Sequence, residues 1–182
     1  VDTLMDLPNK KYNIIYADPA WSYSNFQGKG KKYGDVSSHY KTLTVDEIKS
    51  LNIEQIADKD CMLFIWVTYP NLIEGTEVLK SWGFKYKTVG FTWVKTNKNK
   101  GYYSGLGFYT NSNCEICLIG RKGKFNRNSK KVKQLVVDQL REHSRKPDCV
   151  RDRIVELCGD LPRIELFARQ KVEGWDCWGN EV

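Results

Sequence analysis

Tyr12-Asn13-Ile14-Ile15-Tyr16-Ala17-Asp18-Pro19-Ala20-Trp21 is the segment from which the architecture of this chain is most readily inferred. Its first six residues are uncharged and mostly apolar, a pattern typical of a strand that is buried on both faces in a parallel sheet. The run stops at a carboxylate and a proline, and the ligands of such sheets bind just beyond the carboxyl ends of the strands. We therefore predict an α/β fold with a functional site at Asp18, Pro19 and Trp21.

These three residues suit a planar ligand that carries an amine. Asp18 supplies a side-chain acceptor, and Pro19 supplies a carbonyl acceptor on a backbone whose φ is restricted. Two acceptors can bind the two hydrogens of an exocyclic amine, while the indole of Trp21 can lie against the ring. The segment thus predicts an adenine site, with a strand-ending turn around a buried Trp21 as the structural alternative.

The remainder of the chain alternates strand-like and helix-like segments. Strands are predicted at 61–67, 85–94, 114–120, 134–138 and 163–168, and helices after residue 44, at 71–82 and at 147–159. Thr44 with Glu47 three residues later predicts a capping box, and Gly159 is a typical helix end. This order predicts a mostly parallel central sheet within one domain that covers residues 1–182.

Composition places the chain among ordinary globular proteins. Of its 182 residues, 41% are hydrophobic and 28% are charged. The longest apolar run, residues 62–67, is far too short to span a bilayer, so we expect no membrane association and a cytoplasmic location. Six cysteines without a secretion signal are expected to be reduced. Cys114 and Cys117 fall on opposite faces of a predicted strand, so we expect no metal site there.

Positive charge is concentrated in one part of the sequence. Residues 95–133 contain ten Lys or Arg and a single acid, Glu115, so the net charge of this segment is +9. The net charge of the whole chain is +7, so the other residues together carry −2. This excess predicts a phosphate-binding surface that includes Lys98, Lys100 and Lys130, with a merely solvated face as the alternative. Aromatic residues interleave with the lysines in the glycine-rich part, 95–109, which favours a loop that stacks on exposed bases. The alternative there is an edge hairpin with packed aromatic side chains.

A series of further motifs follows a known order along the chain. The motifs are Tyr40, Phe64-Ile65-Trp66-Val67-Thr68, Trp82-Gly83-Phe84, Trp93-Val94-Lys95-Thr96-Asn97, Glu115, Lys146-Pro147-Asp148, Glu165-Leu166-Phe167-Ala168-Arg169 and Gly179-Asn180. Together with Asp18-Pro19-Ala20-Trp21 they resemble the MT-A type adenine-N6 methyltransferases, a family with an Asp-Pro-Pro-Trp motif. This family includes the catalytic subunit of the eukaryotic messenger-RNA adenosine methyltransferase and phage and bacterial relatives. The resemblance covers nearly the whole chain.

This resemblance implies a Rossmann-like, S-adenosylmethionine-dependent methyltransferase fold with permuted motif order, in which the catalytic strand comes first and the cofactor strand last. It implies direct methyl transfer to the exocyclic amine of adenine, with Asp18, Pro19 and Trp21 as catalytic residues and no metal. The residues that it assigns to S-adenosylmethionine are Asp6, Leu7, Asp18, Lys146, Arg169, Lys171, Asn180 and Glu181. The residues that it assigns to the substrate side are Tyr40, Asn111 and Glu115.

Two features of the sequence bear on the substrate. Ala20 stands where the family has a second proline, which removes a rigid ring from the pocket but keeps the carbonyl of Pro19. The chain lacks the additional RNA-binding modules of the messenger-RNA enzymes, so DNA is the expected nucleic acid, in the host cytoplasm if a phage encodes the protein. RNA methylation and a catalytically silent nucleic-acid-binding subunit are the alternatives. The sequence does not decide between a monomer and a homodimer.

Overall fold

The structure, a computed structural model, describes residues 6–21, 43–142 and 145–182; Tyr40 lies outside the described residues. Within these ranges the strands are β1 (Tyr12–Ala17), β2 (Ala57–Val67), β3 (Lys85–Thr96), β4 (Cys114–Lys122), β5 (Leu135–Gln139), β6 (Arg163–Leu166) and β7 (Asp176–Trp178). The α-helices are α1 (Val45–Ser50), α2 (Leu72–Ser81) and α3 (Cys149–Cys158).

The described strands form one seven-stranded sheet in the order β5-β3-β4-β2-β1-β6-β7. β4 is antiparallel to both of its neighbours, β2 and β3, whereas the other four neighbouring pairs are parallel. The predicted α/β class and mostly parallel central sheet are therefore confirmed. We call the edge where the six parallel strands end and β4 begins the carboxyl edge, and the opposite one the amino edge.

Alternation along β1 divides the core into two layers. Ile15 and Ala17 pack in the layer that includes α1 and α2, while Ile14 and Tyr16 pack in the layer that includes α3. Successive side chains of a strand point to opposite faces, so a strand that is apolar at every position is buried on both. β1 also lies between β2 and β6, where the strand order reverses, and such a switch point is the usual ligand crevice of an open α/β sheet.

Helices α1 and α2 form where the sequence predicts them. The Thr44 side chain accepts a hydrogen bond from the Glu47 backbone N at 3.2 Å, and Glu47 Oε2 accepts one from the Thr44 backbone N at 2.7 Å. These two bonds confirm the capping box. Leu72, at the start of α2, is 38% exposed. Gly75 lies closest to β2 instead, since a Cβ at that position would collide with Val67.

Several strand boundaries differ from the prediction, and one strand is additional. β2 begins four residues earlier, at Ala57, and β6 ends at Leu166 because Phe167 adopts a left-handed conformation with φ of 58°. β7 was not predicted, because its three residues are too few to show a periodic pattern; it is recognisable only through its parallel pairing with β6.

The longest described helices, α2 and α3, have ten residues each, or about 15 Å, which is about half the thickness of the hydrocarbon core of a bilayer. No helix in the described part of the chain is therefore long enough to cross a membrane.

Candidate active site

The side chains of a candidate active site converge because they lie on one face of the sheet where β1, β2 and β3 reach the carboxyl edge. Tyr16 is on β1 with Asp18 two residues on, Trp66 is near the end of β2, and Trp93 is on β3 with Lys95 two residues on. Tyr16, Trp66 and Trp93 all belong to the core layer on the α3 side. Residues two apart share a face, so Asp18 and Lys95 reach the carboxyl edge on that same side.

Four charged side chains of alternating sign contact one another at this edge of the sheet, and we call them the charge chain: Asp18, Lys146, Glu115 and Lys95. Lys146 Nζ, from the segment before α3, lies 3.2 Å from Asp18 Oδ1 and 3.0 Å from Glu115 Oε2. Glu115 Oε1 in turn accepts a hydrogen bond from Lys95 Nζ at 3.1 Å. The Glu115 and Lys95 residues are only 7% and 9% exposed. Because unpaired charges are costly at this burial, the four side chains must hold one another in place.

The charge chain controls the protonation of Asp18. Burial raises the pKa of Asp18, Lys146 lowers it, Glu115 raises it and Arg169 lowers it, with a net shift above the ordinary value. Burial acts to lower the pKa of Lys146, but the carboxylates of Asp18 and Glu115 outweigh this effect and leave it raised. Lys146 is therefore a firmly protonated cation, and it is the main group that favours the ionised form of Asp18.

Aromatic side chains line the floor of the site. The Nε1 atom of Trp66 donates a hydrogen bond to Tyr16 Oη at 2.7 Å, and Lys146 Nζ lies 5.8 Å from the centre of the Trp66 ring. Lys95 Nζ lies 5.1 Å from the centre of the Trp93 ring. Each lysine thus interacts with an aromatic ring as well as with a carboxylate, and both interactions stabilise a partly desolvated cation.

A cleft opens beside Asp18 at the switch point between β1 and β6. Tyr16 and Asp18 from β1, Arg145 and Lys146 before α3, and Glu165, Phe167 and Arg169 around the end of β6 line it. Arg151 from α3 holds Glu165 with two hydrogen bonds of 2.7 and 2.8 Å. The left-handed conformation of Phe167 ends the strand and brings Arg169 to the cleft. Strained backbone of this kind is common at binding sites.

Two of the residues predicted for S-adenosylmethionine follow neighbouring strands at this edge. Arg169 follows β6 and lines the cleft, and Asn180 follows β7, the neighbouring strand. The backbone runs close together here: Ala168 N donates to Trp178 O at 3.0 Å, and a Cβ on Gly179 would lie 2.6 Å from the Ala168 carbonyl oxygen. Gly179 therefore permits a close approach that a larger residue would prevent.

The other predicted cofactor residues are not among those that line the cleft. Lys171 lies beside Tyr12 and Trp175 in a separate, open depression and not in the cleft. Asp6, Lys171 and Glu181 are exposed, and Leu7 packs against the core layer of α1 and α2. Their roles stay predictions.

Pro19 and Trp21 are both buried at the turn that follows β1. The Trp21 side chain is 8% exposed, packs in the core layer of α1 and α2, and donates from Nε1 to the Trp66 backbone O at 2.9 Å. The structure thus agrees with the alternative of a buried tryptophan that anchors the turn. Stacking of a base on Trp21 stays a prediction, with little ring surface available for it.

The substrate-side residues are split between the two edges of the sheet. Lys98, Lys100 and Asn111 are exposed in the loop between β3 and β4, which rises from the carboxyl edge next to Glu115. This loop has isolated bridges like a hairpin, and two of its aromatic side chains are largely exposed: Tyr102 at 72% and Tyr109 fully. Exposed rings beside lysines are the arrangement predicted for stacking on bases.

Lys130 lies at the amino edge, so the prediction of a single basic surface over 95–133 is wrong. The physical reason is the direction of β4, which starts at the carboxyl edge and carries the chain to the opposite one. Lys124 N there donates to Asp60 Oδ1 at the start of β2, and Asn128 N donates to Leu157 O near the end of α3. The basic residues of 95–133 therefore form two separate surfaces, one at each edge of the sheet.

Sequence reasoning did not assign site roles to Lys95, Tyr16 or Trp66. Lys95 was counted only as part of the basic segment, although its position two residues after the buried Trp93 places it on the site face. The period-two pattern at strand ends was a usable signal for all three. The pairing of Lys95 with Glu115 had no such signal, since it depends on the antiparallel register of β3 and β4.

Comparison with known proteins agrees with this geometry. A sequence profile of the family described as MT-A70 matches residues 12–181. Type II methyltransferase M.MunI of Mycoplasma sp is 38% identical over 192 residues, which cover 97% of this chain and 80% of the relative. The N(6)-adenosine-methyltransferase catalytic subunit METTL3 of Homo sapiens is 32% identical over 179 residues, 94% of this chain and 28% of the relative. N(6)-adenosine-methyltransferase MT-A70-like of Arabidopsis thaliana is 30% identical over 175 residues, 94% of this chain and 24% of the relative.

Proposed function

This chain belongs to the MT-A70 family and is an adenine-N6 methyltransferase, and we propose that it transfers the methyl group of S-adenosylmethionine to adenine in DNA. The fold is accordingly that of the S-adenosylmethionine-dependent methyltransferases, with the catalytic strand first in the chain. The proposal includes action as one methyltransferase domain over residues 1–182 and a cytoplasmic location.

The observation that carries the proposed mechanism is the charge chain at the carboxyl edge. Asp18 stands at the switch point with Oδ1 3.2 Å from Lys146 Nζ, and its other oxygen is the acceptor in the proposed mechanism. This oxygen and the Pro19 carbonyl would accept the two N–H groups of the adenine amine. Their hydrogen bonds favour a pyramidal nitrogen whose lone pair points away from the acceptors. Lys146, held by Glu115, is the main group that lowers the pKa of Asp18 against the rise caused by burial, and it therefore favours the ionised acceptor.

The cleft residues fit the donor and acceptor groups of S-adenosylmethionine. Arg145, Lys146 and Arg169 are cations that can bind the methionine carboxylate, and Asp18 can accept from the methionine amine. Asn180, at the end of the adjacent strand, can bond to a ribose hydroxyl. The chemistry that the cofactor supplies is an electrophilic methyl group on a sulfonium. The protein's contribution is to align the amine with that group and to exclude water.

Two observations support nucleic acid, and DNA in particular, as the substrate. The loop between β3 and β4 presents Lys98 and Lys100 with exposed Tyr102 and Tyr109 beside the charge chain. The bacterial Type II methyltransferase is more similar to this chain than the eukaryotic adenosine-methyltransferases are, and the chain spans most of its length rather than about a quarter.

Nucleoside mass spectrometry tests the proposal directly. The purified protein is incubated with S-adenosylmethionine and either genomic DNA or total RNA, each free of prior adenine methylation, and the nucleosides are quantified. We expect N6-methyldeoxyadenosine in DNA and no comparable increase of N6-methyladenosine in RNA. Methylation of RNA alone would replace DNA as the substrate. Binding of nucleic acid with no methylation of either would favour the silent binding subunit.

We predict that the loop lysines contribute to binding through phosphate contacts. Replacing Lys98 and Lys100 with alanine should flatten the plot of log affinity against log salt by up to about 2 units for duplex DNA, because each lost phosphate contact removes about 0.9. The affinity for S-adenosylmethionine should not change, since both side chains are exposed on the loop and do not line the cleft. Fluorescence anisotropy over a salt series measures the slope.

The matched control is the variant with arginine at both positions, which keeps the charge and should keep the slope. A slope that is unchanged in the alanine variant would show that this loop does not contact the phosphates. A slope that falls equally in the arginine variant would indicate a damaged loop rather than lost charge.

A further inference from the structure

A second basic surface lies at the amino edge, remote from the cleft. Its members, which we call the amino-edge cluster, are Lys122, Lys124, Arg127, Lys130, Lys131 and Lys133. All but Lys122 are exposed, and no Asp or Glu occurs between residues 116 and 137. Only Lys130 of this cluster was named for phosphate binding from the sequence, together with Lys98 and Lys100, and the proposed methyl transfer uses none of the six residues.

The loop that carries the cluster is held firmly against the sheet and α3. Ser129 Oγ donates to Glu156 Oε1 at 3.1 Å, and Arg153 Nη1 donates to the carbonyl oxygens of Lys133 and Leu135 at 2.9 and 2.7 Å. Together with the bonds from Lys124 N and Asn128 N, these contacts anchor the backbone along the segment. A rigid backbone presents its lysines without the ordering cost that a flexible tail would have.

The positive charge of the cluster exceeds the negative charge beside it. Asp60 and Glu156, two acids that touch this loop, are engaged by the backbone of Lys124 and by Ser129. In the described part of the chain none of the six cationic side chains forms an ion pair. Lys85 adds to the excess, since it pairs in register with Arg121 directly beside the cluster. Such a surface fits an extended polyanion.

The spacing of the two basic surfaces matches DNA that continues beyond the methylated base. β4 connects them, and its nine residues cover about 27 Å at a rise of about 3.4 Å per residue. That length corresponds to about 8 base pairs of duplex at 3.4 Å each. We propose that the amino-edge cluster is a second phosphate-contact surface, which binds the duplex flanking the target adenine. This inference rests on the proposed function, because it takes the substrate to be double-stranded DNA.

The length of the DNA provides the test. A duplex of about 12 base pairs with the target adenine at its centre extends only about 6 base pairs, or about 20 Å, to either side, which is less than the separation of the two surfaces. A duplex of about 30 base pairs with a central adenine extends about 15 base pairs to either side and can reach both. We expect the wild-type salt slope to be steeper on the longer duplex. Replacing Lys130, Lys131 and Lys133 with alanine should flatten the slope on the longer duplex by up to about 3 units, while Lys98 and Lys100 still sustain binding to the shorter one. The same three positions with arginine should match the wild type.

The outcomes separate this inference from the proposed function. A wild-type slope independent of DNA length, or a triple alanine variant that binds the long duplex like the wild type, would overturn the second surface and leave adenine methylation intact. Absence of N6-methyldeoxyadenosine from wild-type reactions would overturn the DNA substrate itself. Tighter wild-type binding to vesicles with anionic headgroups than to duplex DNA, lost in the triple alanine variant, would assign the cluster to a lipid surface and contradict the inference.

Discussion

Asp18→Ala lowers the single-turnover rate of adenine methylation by at least about a hundredfold, and Asp18→Asn retains measurable activity between that of alanine and the wild type. A hundredfold loss corresponds to about 2.7 kcal/mol of transition-state stabilisation. Alanine removes the acceptor for one amine hydrogen, whereas asparagine keeps an oxygen in nearly the same place. Rates are measured by quench-flow at saturating S-adenosylmethionine, because Asp18 also lines the cofactor cleft.

The asparagine variant separates two mechanisms. If Asp18 were a general base that removes a proton before the attack, asparagine would be as damaging as alanine, since neither side chain can take up the proton. Equal and complete loss in both variants, with cofactor affinity and thermal unfolding unchanged, would therefore contradict the acceptor mechanism. Full activity of the alanine variant would show that the end of β1 is not the active site.

Lys146→Met raises the dissociation constant for S-adenosylmethionine about ten- to a hundredfold, and it moves the acid limb of the pH–rate profile to higher pH. The first effect follows from the loss of a charge-assisted hydrogen bond, about 1.5–3 kcal/mol. The second follows from the charge chain. Burial raises the pKa of Asp18 and Lys146 lowers it, so the pKa rises further when this cation is lost. The ionised carboxylate is the stronger acceptor, so the rate falls at a higher pH than in the wild type.

Lys146→Arg is the matched control, because it keeps a cation between Asp18 and Glu115. Calorimetry measures the cofactor affinity, and single-turnover rates from acidic to neutral pH locate the acid limb. The arginine variant should keep the wild-type limb even if its cofactor affinity changes. A methionine variant whose acid limb coincides with that of the wild type would mean that Lys146 does not control the ionisation of Asp18. A methionine variant with wild-type cofactor affinity would remove Lys146 from the cofactor site.

Local features of the fold were predictable because their determinants lie within a few residues. The apolar run that ends at Asp18 and Pro19 predicted a buried strand with a site at its carboxyl end, and the Thr44–Glu47 capping box predicted the start of α1. Both signals depend on neighbouring residues alone, through side-chain alternation or a single turn of helix. The family followed from motifs that are similarly local, because each strand end carries its own short signature.

The pairings that organise the site could not be obtained in that way. Asp18, Lys95, Glu115 and Lys146 come from four separate elements, and they meet only because β1, β2, β4 and β3 lie side by side in one register. Hydrogen bonding between distant segments sets strand order and direction, and no short window of sequence records it. For the same reason, a sum of charges over 95–133 could not reveal that antiparallel β4 sends Lys98 and Lys130 to opposite edges of the sheet. The residues and their spacing therefore determined the family and the chemistry at the end of β1. Long-range strand pairing decided which charges meet at the cleft and which face the solvent at the other end of β4, about 27 Å along that strand.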